Sequence, residues 1–307
     1  MTWKPIVAGV DASPEGTRAA VVAARLAETA HTDCYLAHAV RDPFTEASLA
    51  QVPLDLGEVN RIVLDSAGIQ IRRALEGKVP QRLVDQLDLR FGPPGLVLNE
   101  VLDARGAELL VLGGKHHSAI GRWLGGSTAH HMVRTVDVPM LVTSDLQGTF
   151  RRILAAVDLS SAARLTIDAA ERFADLFDAR LSVLHVVEPL PLLPELPVTL
   201  SDDDLMERTD RELERVVWPL IGRAEADRLV RRGHAAETIA SVAQDWRADL
   251  VVVASHGRGW VDRMLIGSVT ERLLNRLPAA MLVVPVMAPA RRPAPARART
   301  AAAPAPH

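Results

Sequence analysis

Hydrophobic and polar positions alternate along this chain in a way that predicts an α/β fold. Short continuous runs of Val, Ile, Leu and Ala recur, and longer stretches with apolar residues at helical spacing separate them. Continuous apolar runs are typical of parallel strands that are buried on both faces of a sheet. We therefore predict ten strands, five in each half of the chain. They are residues 5–11, 34–40, 87–91, 108–114, 140–144, 153–158, 181–187, 227–232, 249–255 and 281–286.

Two of the intervening stretches, 15–30 and 204–222, are clearly amphipathic and predict helices. The first should begin at Ser13, because serine caps helices and the following Pro14 fits the first turn.

The second half of the chain repeats the first. Asp11 and His38 return 147 residues later as Asp158 and His185, whereas Gly126 returns 141 residues later as Gly267. A duplication followed by a six-residue length change leaves this pattern, and two copies are too few for a solenoid. We predict two similar domains, at 1–145 and 151–287, joined by 144–150. Each is expected to be a five-stranded parallel sheet with helices on both faces.

The last strand of each repeat is apolar and would leave an unprotected sheet edge if each half stood alone. We therefore expect the two halves to pack together as an internal pseudo-dimer through strands 140–144 and 281–286.

Composition narrows the class of protein. Cys34 is the single cysteine, which excludes an internal disulfide framework and a cysteine-built metal site. No apolar run reaches the length of a membrane span, and the first residues do not resemble a signal peptide, so we expect a cytoplasmic protein without membrane contact. The formal net charge is −3 even though the last 21 residues contain four arginines, which argues against binding to nucleic acid.

Residues 288–307 consist almost wholly of Ala, Pro and Arg and lack apolar periodicity. They are expected to form a disordered tail, whose removal leaves fold and ligand affinity unchanged. The alternative is an electrostatic arm that touches membranes or RNA.

The clearest candidate site lies between a predicted strand and the helix that follows it. Gly257 and Gly267 stand ten residues apart there, and Ser268 with Glu271 fits a helix-capping box. Free backbone N–H groups at a helix start, with the positive end of the helix dipole, form an anion site. Glycines at these points let a phosphate approach the main chain. The alternative is a strand–loop–helix connection that merely needs glycine.

Five features recur in the same order in both halves: Asp-x-Ser after the first strand, an AHA or LHV strand, a glycine before the third helix, a glycine loop, and a closing MLVT or MLVV strand. Together with the pattern G-x2-G-x9-G-[S/T], they resemble the universal stress protein family over nearly all of the chain before the tail. The resemblance implies a five-stranded parallel sheet in each domain, with ATP, with or without Mg²⁺, across its carboxyl edge.

In the second half, the resemblance assigns Asp158 to adenine, the main chain of Val186 to adenine, and Val253 and Ala254 to the ribose. It assigns the phosphates to Gly257, Gly267, Ser268, Val269 and Thr270. Arg263, four residues before Gly267, could also reach the phosphates, although a surface salt bridge explains such an arginine equally well. Ala254 departs from the motif, which has a glycine there. A Cβ at that position costs about 1–2 kcal/mol if the residue needs a positive φ, and little if only a small side chain is needed.

The first half matches less well. The corresponding residues there are Asp11, Ala39, Gly113, Gly126, Ser127 and Thr128. His116 occupies the place of the second glycine, and His130 stands where the second half has Glu271. Arg122 corresponds to Arg263. We therefore predict tighter ATP binding in the second half and about one nucleotide per chain.

Histidines crowd around the first-half loop at His116, His117, His130 and His131, with His256 in the corresponding loop. Their spacing fits no known metal motif, so exposed or capping roles are favoured over a metal site. His38 and His185 recur within strands and are expected to be core or strand-end residues.

Three functional hypotheses remain. The first is an adenine-nucleotide-binding protein of stress response or signalling, which forms a homodimer and acts through an unidentified protein partner. The second is an interaction scaffold of the same family without nucleotide. The third, a slow ATPase or self-phosphorylating enzyme with Ser268 or Thr270 as acceptor, is weaker because no acid–base pair and no phosphate-binding loop of the G-x4-G-K-[S/T] type are found.

Overall fold

The computed structural model describes residues 4–41, 56–114, 128–144, 149–189, 202–257 and 266–286. The predictions for the tail at 288–307, and for the loop residues His116, His117, Arg122, Gly126, Ser127 and Arg263, lie outside them.

The described residues contain the ten strands that the apolar runs predict. They are β1 (Ile6–Gly9), β2 (Cys34–Val40), β3 (Asp88–Phe91), β4 (Leu109–Gly113), β5 (Met140–Thr143), β6 (Arg152–Val157), β7 (Arg180–Val187), β8 (Asp227–Arg232), β9 (Leu250–Ala254) and β10 (Ala280–Val284).

Helices connect these strands in alternation. They are α1 (Pro14–Ala30), α2 (Leu56–Leu75), α3 (Gln81–Asp85), α4 (Pro94–Arg105), α5 (Thr128–Thr135), α6 (Ala162–Phe177), α7 (Asp202–Val216), α8 (Ala235–Asp245) and α9 (Ser268–Arg276), with a 3-10 turn at Trp218–Leu220. No helix in the described ranges is both long and apolar enough to cross a membrane.

Two helix predictions have different outcomes. Helix α1 begins as predicted, because the Ser13 hydroxyl accepts a hydrogen bond from the Gly16 amide at 3.1 Å and Pro14 occupies the first turn. The helix predicted at 204–222 instead ends at Val216, before the 3-10 turn. Pro219 lies within that turn, and proline in a helix interior removes a backbone hydrogen bond and clashes with the preceding turn.

The strands form one sheet in the order β3-β2-β1-β4-β5-β10-β9-β6-β7-β8. Within each half the neighbouring strands are parallel, as predicted. The halves meet where β5 and β10 pair antiparallel, with Leu141 opposite Leu282 at the centre of the pair. This confirms the expected pairing of the closing strands and joins the two five-stranded sheets into a single sheet.

Helices cover both faces of the sheet. One core contains residues of α1, α2, α3, α6 and α7, and the other contains residues of α4, α5, α8 and α9. Successive residues of β1 alternate between the two cores, with Ile6 and Ala8 in the first and Val7 in the second. The two outermost strands, β3 and β8, carry charged residues, which protects the sheet edges from pairing with another chain.

The connection between the halves ends at a core residue. Phe150 is fully buried, and its ring packs edge-on against Phe173 and Phe177 of α6, with centroid distances of 5.5 and 5.1 Å. Arg172 of α6 also lies 3.9 Å from Glu108, just before β4. The end of the predicted joint is therefore packed into the fold.

Candidate functional site

Two clefts open at the carboxyl edge of the sheet, one in each half. Each lies where the strand order reverses, between β1 and β4 or between β6 and β9, which is the ligand position in open α/β sheets. We name the cavity of about 540 Å³ at the ends of β6, β7 and β9 the second-half cleft. The cavity of about 340 Å³ at the ends of β1, β2 and β4 is the first-half cleft. Both volumes fall within the range of small-molecule sites.

The second-half cleft brings together the described residues that the sequence pattern singled out. Its lining includes Asp158, Val186, Val253, Ala254, Gly257, Gly267, Ser268, Val269 and Thr270. In the first half, Asp11, Ala39, Gly113 and Thr128 line the corresponding cleft.

Asp158 follows β6 directly and is held by its own turn. Its Oδ1 accepts hydrogen bonds from the Ser160 amide at 3.0 Å and the Ser160 hydroxyl at 2.5 Å. The Ser160 hydroxyl in turn accepts from the amide of Ala162, the first residue of α6. The Asp-x-Ser motif therefore fixes the carboxylate at the start of a helix, and Asp11 with Ser13 forms the same pair in the first half.

Each aspartate is flanked by a histidine of the neighbouring strand. His185 Nδ1 lies 2.9 Å from the carbonyl oxygen of Val157, and His38 Nδ1 lies 2.6 Å from that of Val10. A carbonyl oxygen only accepts, so Nδ1 is the donor in both rings. Both histidines are strand residues, as expected, but they also line the clefts, which the sequence argument missed. Their recurrence at one offset was the available signal.

Gly257 is required by a contact within the protein. A Cβ at this position would lie 2.6 Å from Asp158 Oδ2, too close for any other residue without movement of the loop or the carboxylate. The glycine therefore allows the end of the β9 segment to pass directly over the aspartate. This contact gives the residue a structural reason beside the predicted approach of a phosphate.

Ala254 occupies its place without backbone strain. Four non-glycine residues in the described ranges have a positive φ, and Ala254 is not among them. Of the two alternatives considered for its departure from the motif, the structure favours the one in which alanine costs little.

The first half differs at the corresponding position. A Cβ at Gly113 would lie 2.5 Å from the carbonyl oxygen of Glu15, so glycine is needed there. Glu15 can come so close because Gly16 packs its Cα directly against Asp11, whereas the second half has Ala163 in place of Gly16. The start of α1 thus lies close to the end of β4.

The predicted capping box at the start of α9 is wrong. Helix α9 begins at Ser268, and the capping residue is Gly267, which has no side chain to bond the first turn. The Glu271 amide donates to the Gly267 carbonyl oxygen at 2.9 Å, so Ser268 lies inside the helix and its side chain is exposed. The Gly267 amide donates to the Ser255 carbonyl oxygen, which brings the two main chains close together. A Cβ at position 267 would lie 3.2 Å from that oxygen, so glycine fits this position best.

Thr270 is a structural residue of the cleft. It is buried, and its hydroxyl donates to the Ala254 carbonyl oxygen at 2.7 Å, which ties the first turn of α9 to the end of β9. This geometry disfavours Thr270 as an acceptor for phosphorylation. Of the two hydroxyls considered for that role, Ser268 is the exposed one.

Within the described residues, the positive potential of the second-half cleft comes from main-chain groups, beside the carboxylates of Asp158 and Glu188. No lysine or arginine of the described residues lines it, and the basic residues of the loop 258–265 lie outside the described ranges. His256 is buried with Nδ1 3.0 Å from Ser255 Oγ, and burial lowers its pKa, so it is neutral at physiological pH. The first three amides of α9 therefore supply the positive potential within the described part of the cleft.

The two described histidines of the first-half cluster have different surroundings. His131 packs against Gly95 of α4, while His130 lines the first-half cleft. Within the described residues, no three His, Cys, Asp or Glu side chains stand close enough together to hold a metal ion.

The structure also adds residues that no sequence pattern singled out. Glu188, just after β7, lines the second-half cleft, and its Oε1 accepts from the Ala235 amide at 2.9 Å at the start of α8. Leu205 of α7 and Ile239 of α8 add an apolar wall. Leu274 of α9 lines the first-half cleft, so a second-half residue contributes to the first-half site. Helical periodicity predicts that the leucines and Ile239 are buried but not which cavity they face.

Comparison with known proteins agrees with the repeat. The model of the universal stress protein family matches the chain twice, at residues 2–144 and 149–285. A universal stress protein from Mycobacterium tuberculosis H37Rv is 30% identical over 287 residues, covering 87% of this chain and 91% of that protein. One from Mycolicibacterium smegmatis is 28% identical over 295 residues, covering 91% and 96%.

Solved structures support the same fold. A universal stress protein from Archaeoglobus fulgidus superposes with a TM-score of 0.60 at 16% identity, covering 91% of this chain and 97% of that one. A structure described as a putative universal stress protein from Pseudomonas aeruginosa gives a TM-score of 0.57 at 18% identity, covering 91% and 92%. The repeated motif, the two clefts and these matches lead to one conclusion: the chain belongs to the universal stress protein family, as a tandem member with two copies of the domain.

Proposed function

We propose that this chain binds an adenine nucleotide, ATP, in the second-half cleft and acts as a nucleotide-binding protein in stress response or signalling. The observation that carries the proposal is the convergence of Asp158, the end of β7 and the start of α9 on one cavity of about 540 Å³. Asp158 and the end of β7 suit the base, the end of β9 suits the ribose, and the start of α9 suits the phosphate chain.

The aspartate suits the base. Asp158 Oδ1 is occupied by Ser160, which orients the carboxylate, and the group can accept from the exocyclic amine of adenine. Val186 lies beside it on β7 and offers its main chain. The apolar wall of Leu205 and Ile239 suits a planar ring.

The start of α9 suits the phosphates. Gly267 leaves room for an anion at the first turn, where the amides of Ser268, Val269 and Thr270 are not used by the helix. Arg263 is proposed to add charge from the neighbouring loop. The described part of the cleft offers no carboxylate cluster for Mg²⁺, so an ion accompanying ATP would be held mainly by the phosphates and water.

The first-half cleft is proposed to bind ATP more weakly, if His116 blocks the loop as the motif suggests. Its smaller volume, about 340 Å³, also favours weaker ATP binding in this cleft. We expect about one tightly bound nucleotide per chain.

Catalysis receives no support from the described residues. Asp158 is held by Ser160, His185 Nδ1 donates to a carbonyl oxygen, and Thr270 is buried. The scaffold hypothesis differs from the proposal in one measurable property, the presence of a ligand.

Two experiments test the proposal. Mass spectrometry of the ligand released from freshly purified protein should detect an adenine nucleotide. Calorimetric titration of ATP should then give a stoichiometry near one for the wild type, with binding abolished by Gly267→Val, because its branched side chain would meet the Ser255 carbonyl oxygen.

Gly126→Val is the matched control, since Gly126 corresponds to Gly267 in the first half. It should leave tight binding nearly intact. Equal loss from both variants, or two tight sites, would contradict the asymmetry. Absence of both a released nucleotide and ATP binding would favour the scaffold.

A cytoplasmic location and a homodimer remain part of the proposal. The internal pairing of β5 with β10 already occupies the two closing strands, so a homodimer would have to use another surface. Analytical ultracentrifugation of the full chain would measure its mass in solution.

A further inference from the structure

A cavity of about 810 Å³ lies at the opposite, amino edge of the first-half sheet. It is formed by the last turns of α1, the start of β2 and the segment that contains α3. We name it the amino-edge cavity. It shares no lining residue with the first-half cleft.

Cationic side chains predominate around this cavity. Lys4, Arg25, Lys78 and Arg82 line it, against the two acids Glu28 and Asp33. The whole chain has a formal net charge of −3, so this local excess of positive charge runs against the overall balance. A concave surface with an excess of one sign of charge concentrates ions of the opposite sign.

A smaller cavity of about 530 Å³ adjoins it and shares Asp33, Cys34, Arg82 and Leu83. It adds Arg105, whose guanidinium lies 4.3 Å from the ring centroid of Tyr35. Stacking on an aromatic ring fixes the position of a guanidinium while leaving its N–H donors available. Burial raises the pKa of Cys34 to about 12, so the thiol is neutral and contributes no negative charge.

The second half provides an internal comparison. By its spacing from the repeated glycine, Arg82 corresponds to Arg223. Arg223 is 20% exposed and is paired with Asp175 at 2.5 Å and Glu225 at 2.8 Å. Glu171 completes this closure, because its Oε1 accepts from the Gly222 amide at 2.7 Å and from the Arg223 amide at 3.1 Å.

The first half lacks the contact that Glu171 makes with the Gly222 and Arg223 amides. Ala24 stands where the second half has Glu171, and Ala24 lines the amino-edge cavity. Arg82 and Lys78 are exposed, unlike Arg223. Glu28 stands where the second half has Asp175, and Val84 stands where it has Glu225. The first half therefore keeps one of the two acids that pair with Arg223 and loses the contact that Glu171 makes, so that the position is closed in the second half and lines an open cavity with an excess of positive charge in the first.

We propose that the amino-edge cavity binds a small anion with several phosphate groups, at a site separate from both carboxyl-edge clefts. Guanidinium groups bind phosphate oxygens through paired hydrogen bonds, and ammonium groups add charge without a fixed direction. The cavity volume is that of a small-molecule site, and its concave shape suits a compact anion better than a nucleic-acid duplex.

Inorganic tripolyphosphate is the probe for this site. It is titrated calorimetrically into the full chain carrying Gly267→Val, so that the start of α9 contributes little to the signal. The test variant adds Lys78→Glu and Arg82→Glu, both at exposed positions. The matched control adds Arg228→Glu and Arg231→Glu, which are exposed on β8, line neither this cavity nor the clefts, and change the net charge equally.

The test variant should lose at least about tenfold in affinity, since it removes two charge-assisted contacts, while the control should change by less than about twofold. Circular dichroism should show that both variants remain folded. Equal losses in the two variants would mean that only general charge attraction was measured, and would overturn the proposal. So would undetectable tripolyphosphate binding, or binding of a short DNA duplex in preference to tripolyphosphate.

Discussion

At the scale of single residues, the second-half cleft is organised by side chains that bind the protein's own main chain. Ser160 holds Asp158, His185 donates to the Val157 carbonyl oxygen, and Thr270 donates to that of Ala254. Such contacts fix the cleft before any ligand arrives, which lowers the entropic cost of binding.

Thr270→Val tests the contact between α9 and β9. The substitution keeps the side-chain shape but removes the only O–H that Thr270 offers to the Ala254 carbonyl oxygen. We expect a loss of about 1–3 kcal/mol in the free energy of unfolding, measured by urea denaturation. Ser268 lies two residues earlier in the same turn and is exposed, so Ser268→Ala should change the free energy of unfolding by no more than about 0.5 kcal/mol. A larger effect at Ser268 than at Thr270 would contradict the assignment.

Gly113 and Ala254 form a second matched pair. Gly113→Ala should destabilise the protein by about 1–3 kcal/mol, because the new Cβ meets the Glu15 carbonyl oxygen. Ala254→Gly restores the family's glycine, yet it should leave ATP affinity within about twofold and cost about 0.5–1 kcal/mol in stability, since φ is not positive there. Calorimetric titration measures the ATP affinity of these variants, and thermal denaturation measures their stability. Markedly tighter ATP binding by Ala254→Gly would show that the alanine does strain the site.

At the scale of elements, α9 contacts both carboxyl-edge clefts. Its first residues, from Ser268, line the second-half cleft, whereas Leu274 lines the first-half cleft. Leu277, just after the helix, packs against Gly114 at the end of β4. One helix of the second half therefore forms part of the first-half site.

Leu274→Ala should consequently affect the first half. Truncation of this buried side chain should cost about 2–5 kcal/mol in stability. It should also speed amide hydrogen exchange at Gly114, whose N–H donates to the Thr143 carbonyl oxygen at 3.0 Å. The exposed Arg272 on the same helix gives the control Arg272→Ala, expected within about 0.5 kcal/mol. Unchanged exchange at Gly114 would argue against the link.

At the scale of the whole molecule, the two halves share one sheet and one pair of cores. Leu141 and Leu282 face each other at the antiparallel pair and are fully buried. Both cores contain residues from both halves, so neither half keeps its full burial when the other unfolds.

We therefore expect the wild type to unfold in a single calorimetric transition, with equal calorimetric and van't Hoff enthalpies. Leu141→Pro should lower the midpoint of that transition strongly, because proline removes a ladder hydrogen bond from a central strand. Arg231→Ala, on the edge strand β8, should change it little. Two well-separated transitions in the wild type would show that the halves are independent.

The local pattern determined much of the fold. The Val/Ile/Leu runs specify buried parallel strands, and the helical periods between them specify the covering layers, because both signals depend only on neighbouring residues. The repeat and the apolar closing strands were enough to predict the internal pairing of β5 with β10, since an unpaired apolar edge is unfavourable in water. The motif likewise placed Asp158 and Gly267 in one cleft.

Only the tertiary structure decided what depends on residues far apart in sequence. The reason for Gly257 is a carboxylate 99 positions earlier, at Asp158, and the tolerance of Ala254 depends on its φ. The capping box failed because Gly267 bonds Ser255 and so takes the capping position that the local pattern gives to Ser268. The amino-edge cavity is open because Ala24 leaves a gap that Glu171 closes in the other half. Such contacts arise when strands and helices pack, and no local period or motif encodes them.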